Sequence, residues 1–265
     1  MTALPAQRPG GRRFRLFRSV TALILREMST TYGRSPGGYL WMVLEPVAGI
    51  ALLSYVFSLI ARTPALGQNF PLFFATGLLT FQLYSTVSGL TAQSLKYSKP
   101  FLAYPAVTFL DALIARILLN TLTQALVGVI IIAGIIQIYD LRPIINWPAV
   151  FNAFCMTLVF AIAVGALNCY LFTILPLWER FWVVFNRPMF ILSGILFIPE
   201  NVPARLRDYF MMIPLPHMTS EMRRGFYSTY DAVHVNPTYV YVISVMVMTL
   251  GMILLLRNHK LLAQL

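Results

Sequence analysis

Six apolar runs, each long enough to cross a bilayer, set the limits on what this chain can fold into. They fall at 41–60, 70–90, 109–136, 149–175, 181–198 and 239–256. A helix needs about 20 apolar residues to cross roughly 30 Å of hydrocarbon, and within lipid only a helix or a closed barrel satisfies its own backbone. Composition agrees. Of the 265 residues, 58% are hydrophobic and 11% are charged, whereas a soluble domain uses about 25% charged residues to cover its surface. The expected class is an all-α integral membrane protein with six transmembrane helices.

The net charge is +11. In a soluble chain that excess would suggest nucleic acid; beside membrane spans it sets orientation. With the N-terminus in the cytoplasm, 14 of the 20 Lys and Arg residues fall inside, and only Arg62, Arg142, Arg205, Arg207, Arg223 and Arg224 fall outside. Both termini are therefore expected inside, and no nucleic-acid partner is expected. Arg12-Arg13-Phe14 has a twin-arginine look, but the apolar stretch 20–25 stops at Arg26-Glu27. That is too short for the roughly 7–15-residue core of an export signal. Cys155 and Cys169 share one run and lie about 21 Å apart along a helix, too far to bridge.

Three segments do not span. After a tail at 1–12, residues 13–36 alternate apolar and basic positions at helical spacing, as an amphipathic helix on the inner membrane face would. Arg34-Ser35-Pro36-Gly37-Gly38 ends it before the membrane domain at 37–265. The inner loop 92–108 is basic and aromatic, with Lys96, Lys99-Pro100 and Tyr104-Pro105. The outer segment 199–237 carries Pro199, Pro203, Pro214 and Pro216 around apolar stretches. It reads as short helices that re-enter the membrane or lie on its outer leaflet.

Several kinds of chemistry are missing. No GxxxxGK[ST] loop exists, so this chain has no phosphate cradle of its own. The histidines, His217, His234 and His259, lie outside the spans and show no metal-ligand spacing. No span pairs Ser with His or Asp with Asp. The chain does not read as an enzyme, and neither a metal nor a cofactor is expected on it.

The ionisable residues near the spans are Glu45, Asp111, Arg116, Glu179, Arg180 and Arg187. They mark either a substrate path, since charge within lipid is costly, or interfacial positions reached by hydration and snorkelling. Aromatic residues gather at span ends: Tyr32, Tyr39 and Trp41; Phe70, Phe73, Phe74, Phe81 and Tyr84; Trp178, Phe181, Trp182 and Phe185. They fit an aromatic belt at the interface, with rings on which sugars stack as the alternative. Phe81 and Tyr84 lie deeper than a belt requires and are the stronger candidates for a path lining.

Leu25-Arg26-Glu27-Met28, Thr31-Tyr32-Gly33 and Gly38-Tyr39-Leu40-Trp41-Met42-Val43-Leu44-Glu45-Pro46 together resemble the N-terminal signature of the membrane subunits of bacterial polysaccharide ABC exporters. Ser193-Gly194-Ile195-Leu196-Phe197 is similar to that family's fifth span. Ile213-Pro214-Leu215-Pro216-His217 with Arg223-Arg224-Gly225-Phe226 is similar to its outer element, Ile213 standing where the family usually has Asn. The likeness covers nearly the whole chain and is nearer to capsule-export permeases than to O-antigen or teichoic-acid members.

The resemblance implies a type-two ABC transporter: a permease homodimer with two separate ATPase subunits that bind ATP and Mg. Residues 13–36 would be the interface helix and 96–107 the coupling helix, so Arg26, Glu27, Lys96, Lys99 and Tyr104 would dock the ATPase. Tyr32, Arg26, Arg34 and Trp41 would take in a lipid-linked acidic polysaccharide. Glu45, Phe81, Tyr84, Trp178, Arg180, Phe181, Trp182 and Arg187 would line its path, shaped by spans 1 and 5 of both copies. Pro214, His217, Arg223, Arg224 and Phe226 would form an outer gate, with outer arginines meeting polymer or a periplasmic adaptor. Outer-membrane export proteins and membrane lipids complete the expected partners. The other readings are a permease for O-antigen, teichoic acid, lipid or drug, and a stand-alone secondary transporter. The last would show an inverted repeat or a midplane charge, and neither is seen.

Overall fold

The computed structural model describes residues 38–97 and 109–258, together with Thr21 and residues 23–25. Among the described residues every regular element is helical. In chain order these are α1 (Gly38–Ile60), α2 (Phe70–Ala92), α3 (Phe109–Ile138), α4 (Trp147–Ile174), α5 (Pro176–Leu192), α6 (Ala204–Met211), α7 (Pro214–Phe226) and α8 (Pro237–Arg257). A single 3-10 turn, Pro199–Asn201, precedes α6. Five helices, α1 to α4 and α8, are long and apolar enough to cross a membrane.

Three of the five begin in the same way. An Asn at the N-cap accepts a hydrogen bond from a backbone N–H one turn on: Asn69 from Leu72 at 2.9 Å, Asn146 from Ala149 at 3.3 Å, Asn236 from Tyr239 at 3.1 Å. Each cap satisfies one of the free N–H groups of a helix start, and a proline in the first turn (Pro71, Pro148 or Pro237) removes another. All three starts lie beside the α6–α7 segment. Asn146 N–H donates to Gly225 O at 2.8 Å, Asn236 N–H donates to His217 Nδ1 at 3.1 Å, and Gly67, just before Asn69, abuts Tyr227.

α2 sits at the centre of the bundle, with 61% of its apolar window buried, against 11% for α1 at the periphery. Phe73, Phe74, Phe81, Tyr84 and Val87 of α2 pack on Met156, Phe160 and Val164 of α4, with Leu215 and Met218 of α7 closing one end. Lipid is as apolar as Leu, so spanning helices associate through close packing, which small residues permit. Gly165 lets α4 meet α2: a Cβ there would lie 2.7 Å from the Cβ of Thr91. Gly251 lets α8 meet α4, its would-be Cβ lying 2.7 Å from the Leu167 backbone nitrogen.

The fifth apolar run differs from its expectation. A helix over 181–198 was expected; α5 instead runs over Pro176–Leu192 for 17 residues and includes Glu179, Arg180 and Arg187. Pro176 suits a helix start. The end comes early because Gly194 adopts φ +77, a left-handed conformation that stops the helix. Residues 193–198 then form a turn in which Ser193, Gly194, Ile195 and Ile198 are buried.

Candidate functional site

A helix that stops inside a bundle leaves carbonyls without N–H partners. Here Arg223 of α7 supplies them. Its Nη1 donates to Gly194 O at 2.7 Å and Phe197 O at 2.9 Å, and its Nη2 donates to Ile195 O at 2.8 Å. The guanidinium lies 4.0 Å from the centroid of the Phe73 ring and is fully buried. Thr219, one turn earlier on α7, donates to Ser193 O at 2.6 Å. A cation against the carboxyl end of α5 also meets the negative end of that helix dipole. Arg223 therefore faces the protein interior. In place of the expected contact with polymer, its Nη1 and Nη2 donate to backbone carbonyls and its side chain is closed to solvent.

The rest of segment 199–237 is fixed in the same manner. His217 is buried, donating from Nε2 to Met211 O at 2.8 Å while its Nδ1 accepts from Asn236 N–H. These two partners fit a neutral ring, and burial lowers its pKa from 6.5 although the Met211 carbonyl opposes the shift. Glu221 is fully buried. Its Oε1 accepts from Asn152 of α4 at 2.9 Å and from Arg224 at 2.6 Å, and Asn152 Oδ1 accepts from Tyr241 of α8 at 2.9 Å. One carboxylate thus ties α7, α4 and α8. Arg207 of α6 donates to the carbonyls of Pro199, Glu200 and Val202. Phe226 is buried against Ile50, Leu72 and Val127, and Pro214 begins α7 half-buried. Of the five residues assigned to an outer gate, Arg224 alone is exposed.

α5 carries a different surface. None of its residues is buried. Trp178, Phe181, Trp182 and Phe185 form a run of adjacent rings with centroids 5.2 to 6.3 Å apart. Phe181 and Phe185 are exposed, as are Arg180 and Arg187. On α1, Trp41, Glu45 and Tyr55 are exposed too. Phe81 and Tyr84 are elsewhere. They lie in the packed core, Phe81 against Phe190 at 5.5 Å and Tyr84 stacked on Phe160 at 5.5 Å. Depth in span 2 marked them for a path; in the fold that depth places them between helices.

At the opposite end of the bundle, Lys96 pairs with Glu179 of α5 and lies 5.9 Å from the Phe172 ring centroid. Trp178 Nε1 donates to Asn168 Oδ1 at 3.0 Å. Arg116 donates to Leu90 O at 3.1 Å and stacks 4.5 Å from the Tyr97 ring centroid. Arg116 and Asp111 are both buried, so neither is an interfacial residue reaching outward to water.

The sequence pattern of the family described as ABC-2 type transporter matches residues 18–227. That is most of the chain. The chain belongs to the ABC-2 type transporter family. Among the relatives of this ABC-2 chain are a capsule polysaccharide export inner-membrane protein, CtrC, of Neisseria meningitidis and a polysialic acid transport protein, KpsM, of Escherichia coli. CtrC is 26% identical over 92% of both chains; KpsM is 24% identical over 89% of this chain and 92% of its own. A capsule polysaccharide export inner-membrane protein, BexB, of Haemophilus influenzae is 22% identical over 82% of this chain and 83% of its own.

In the ABC-2 chain, the residues predicted from sequence do not gather into one site. Trp41, Glu45, Phe181 and Arg187 stand on open faces of α1 and α5, with Arg180 exposed and Trp178 and Trp182 half-buried. Lys96 lies at the opposite end from Arg223 and His217. Arg26, Glu27, Tyr32, Arg34, Lys99 and Tyr104 lie outside the described residues. The reading missed Asn152, Thr219, Glu221 and Tyr241. An Asn within the apolar run of α4 is the available signal, since polar residues in spans bond across helices.

Proposed function

We propose that this chain is the membrane subunit of an ABC exporter that moves a lipid-linked capsular polysaccharide across the inner membrane, powered by a separate ATPase subunit. The observation that carries the proposal is the likeness, over 92% of both chains, to an inner-membrane protein named for capsule polysaccharide export. A chain without a phosphate-cradling loop needs ATP and Mg to be held by a partner.

Two copies form the working unit in this reading. Their exposed α1 and α5 faces meet across the path, and rings with neighbouring arginines suit a glycan with an acidic end: sugar faces stack on aromatics and guanidinium forks bind phosphate. α5 is the sixth crossing. Its 17 residues rise about 25 Å, and the turn over 193–198 completes the span. Both termini are cytoplasmic, residues 13–36 and the loop after α2 dock the ATPase, and α6–α7 cover the outer end. A periplasmic adaptor receives the polymer there.

The test is isolation of the tagged chain from its native host in mild detergent, together with deletion of its gene. Co-elution of a soluble ATPase subunit is expected, with loss of surface glycan and its accumulation inside the deletion strain. A chain that elutes alone, in a deletion strain with normal surface glycan, sinks the proposal.

A further inference from the structure

Between its ends α5 only rests on the bundle, with Trp182, Met189 and Phe190 packing half-buried against the core. No residue along its 17 is buried. Its outer end is enclosed: Arg223 and Thr219 of α7 hold the carbonyls of Ser193, Gly194, Ile195 and Phe197 in the interior. Its inner end is open. There Glu179 pairs with Lys96, on the short helical stretch 94–97 that leads into the loop after α2, and both side chains are partly exposed. Beside this pair, Trp178 donates to Asn168 of α4.

The two ends differ in kind. Separating α5 from α7 would strand buried carbonyls and a buried cation, so α5 and α7 must move together. An exposed ion pair carries no such penalty and can open and close. We infer that Lys96 and Glu179 are positioning residues that tie the segment after α2 to α5, and through α5 to the α6–α7 cover about 25 Å away. A shift of the 94–97 stretch would pull on Glu179, and α5 would carry it to residues 193–198 and α7. The role in transport rests on the exporter reading; the mechanical tie does not.

The experiment uses the full chain in lipid nanodiscs, comparing wild type with Lys96→Glu, Glu179→Lys and the double swap. Amide hydrogen exchange is followed over 193–198 and 214–226. Each single reversal is expected to speed exchange there about two- to fivefold, and the swap to restore it. Unchanged exchange in both single variants overturns the tie, as does a swap no better than the worse single variant. Surface glycan is scored in cells carrying the same variants. Normal exchange coupling without any effect of the chain on surface glycan would refute the exporter reading while leaving the tie standing.

Discussion

At Arg223, three carbonyl oxygens share one guanidinium. A planar fork with several N–H donors can serve them; a lysine ammonium, a point donor on a flexible stem, matches the geometry less well. Arg223→Met keeps an unbranched apolar stem and removes every donor. Each stranded buried carbonyl costs about 1–3 kcal/mol, so the variant is expected to lose several kcal/mol of stability, with Arg223→Lys intermediate. Thermal unfolding in detergent measures this, and an Arg223→Met midpoint equal to that of wild type refutes the assignment. His217 makes a pH prediction. Its pKa is lowered in the fold from 6.5, so the unfolded chain binds the proton more readily. Stability is then full above pH 6.5 and falls as the pH drops from there toward the folded value. The midpoint should decline on acidification from pH 7.5 to 5, and His217→Gln should flatten that part of the decline. Equal slopes in the two proteins would contradict the buried neutral ring.

Among the elements, the close approach of α8 to α4 is the most exposed to substitution. A Cβ at Gly251 would lie 2.7 Å from the Leu167 nitrogen and 3.0 Å from its Cα, and backbone cannot rotate aside. Gly251→Leu is expected to cost at least about 1–3 kcal/mol. Val245→Leu, on an exposed position of α8, should change little. Thermal midpoints and the yield of folded protein compare the two, and equal stability would mean that the helices can part without loss. The same elements separate what the sequence made legible from what it did not. α1 to α4 and α8 were legible because an unbroken apolar run has one stable form in lipid, and their ends moved by at most three residues. α5 was not, because its signals conflict. Glu179 and Arg180 look like loop residues, yet Pro176 starts the helix before them. Ile195 and Ile198 look like span, yet Gly194 stops the helix and Arg223, from α7, receives its carbonyls. A partner 28 residues away in sequence leaves no local trace. The outer segment was legible as short helices. Which of its polar residues face inward was not, because only the fold decides whether an arginine meets water or a broken helix.

For the molecule as a whole, exposure separates the rings that build the core from those that the proposed reading assigns to the path. Tyr84 is buried and stacked on Phe160; Tyr84→Ala should lose about 3–5 kcal/mol through the cavity it leaves. Any fall in surface glycan would then follow the amount of folded protein. Glu45, Phe181 and Phe185 stand on open faces of helices that pack little against their own chain. Glu45→Ala and the pair Phe181→Ala with Phe185→Ala should leave the thermal midpoint and the membrane level unchanged, because few contacts are lost. If the two copies meet across these faces, surface glycan should still fall severalfold, since stacking on an aromatic ring is worth about 0.5–1.5 kcal/mol in other aromatic pairs and a polymer meets many rings in succession. Membrane fractionation, unfolding and surface-glycan staining on the same cultures separate the outcomes. Normal glycan in both variants would take the α1 and α5 faces out of the path and leave them to lipid. Normal glycan with a lowered midpoint would mean that these rings support the copy-to-copy contact without touching the polymer.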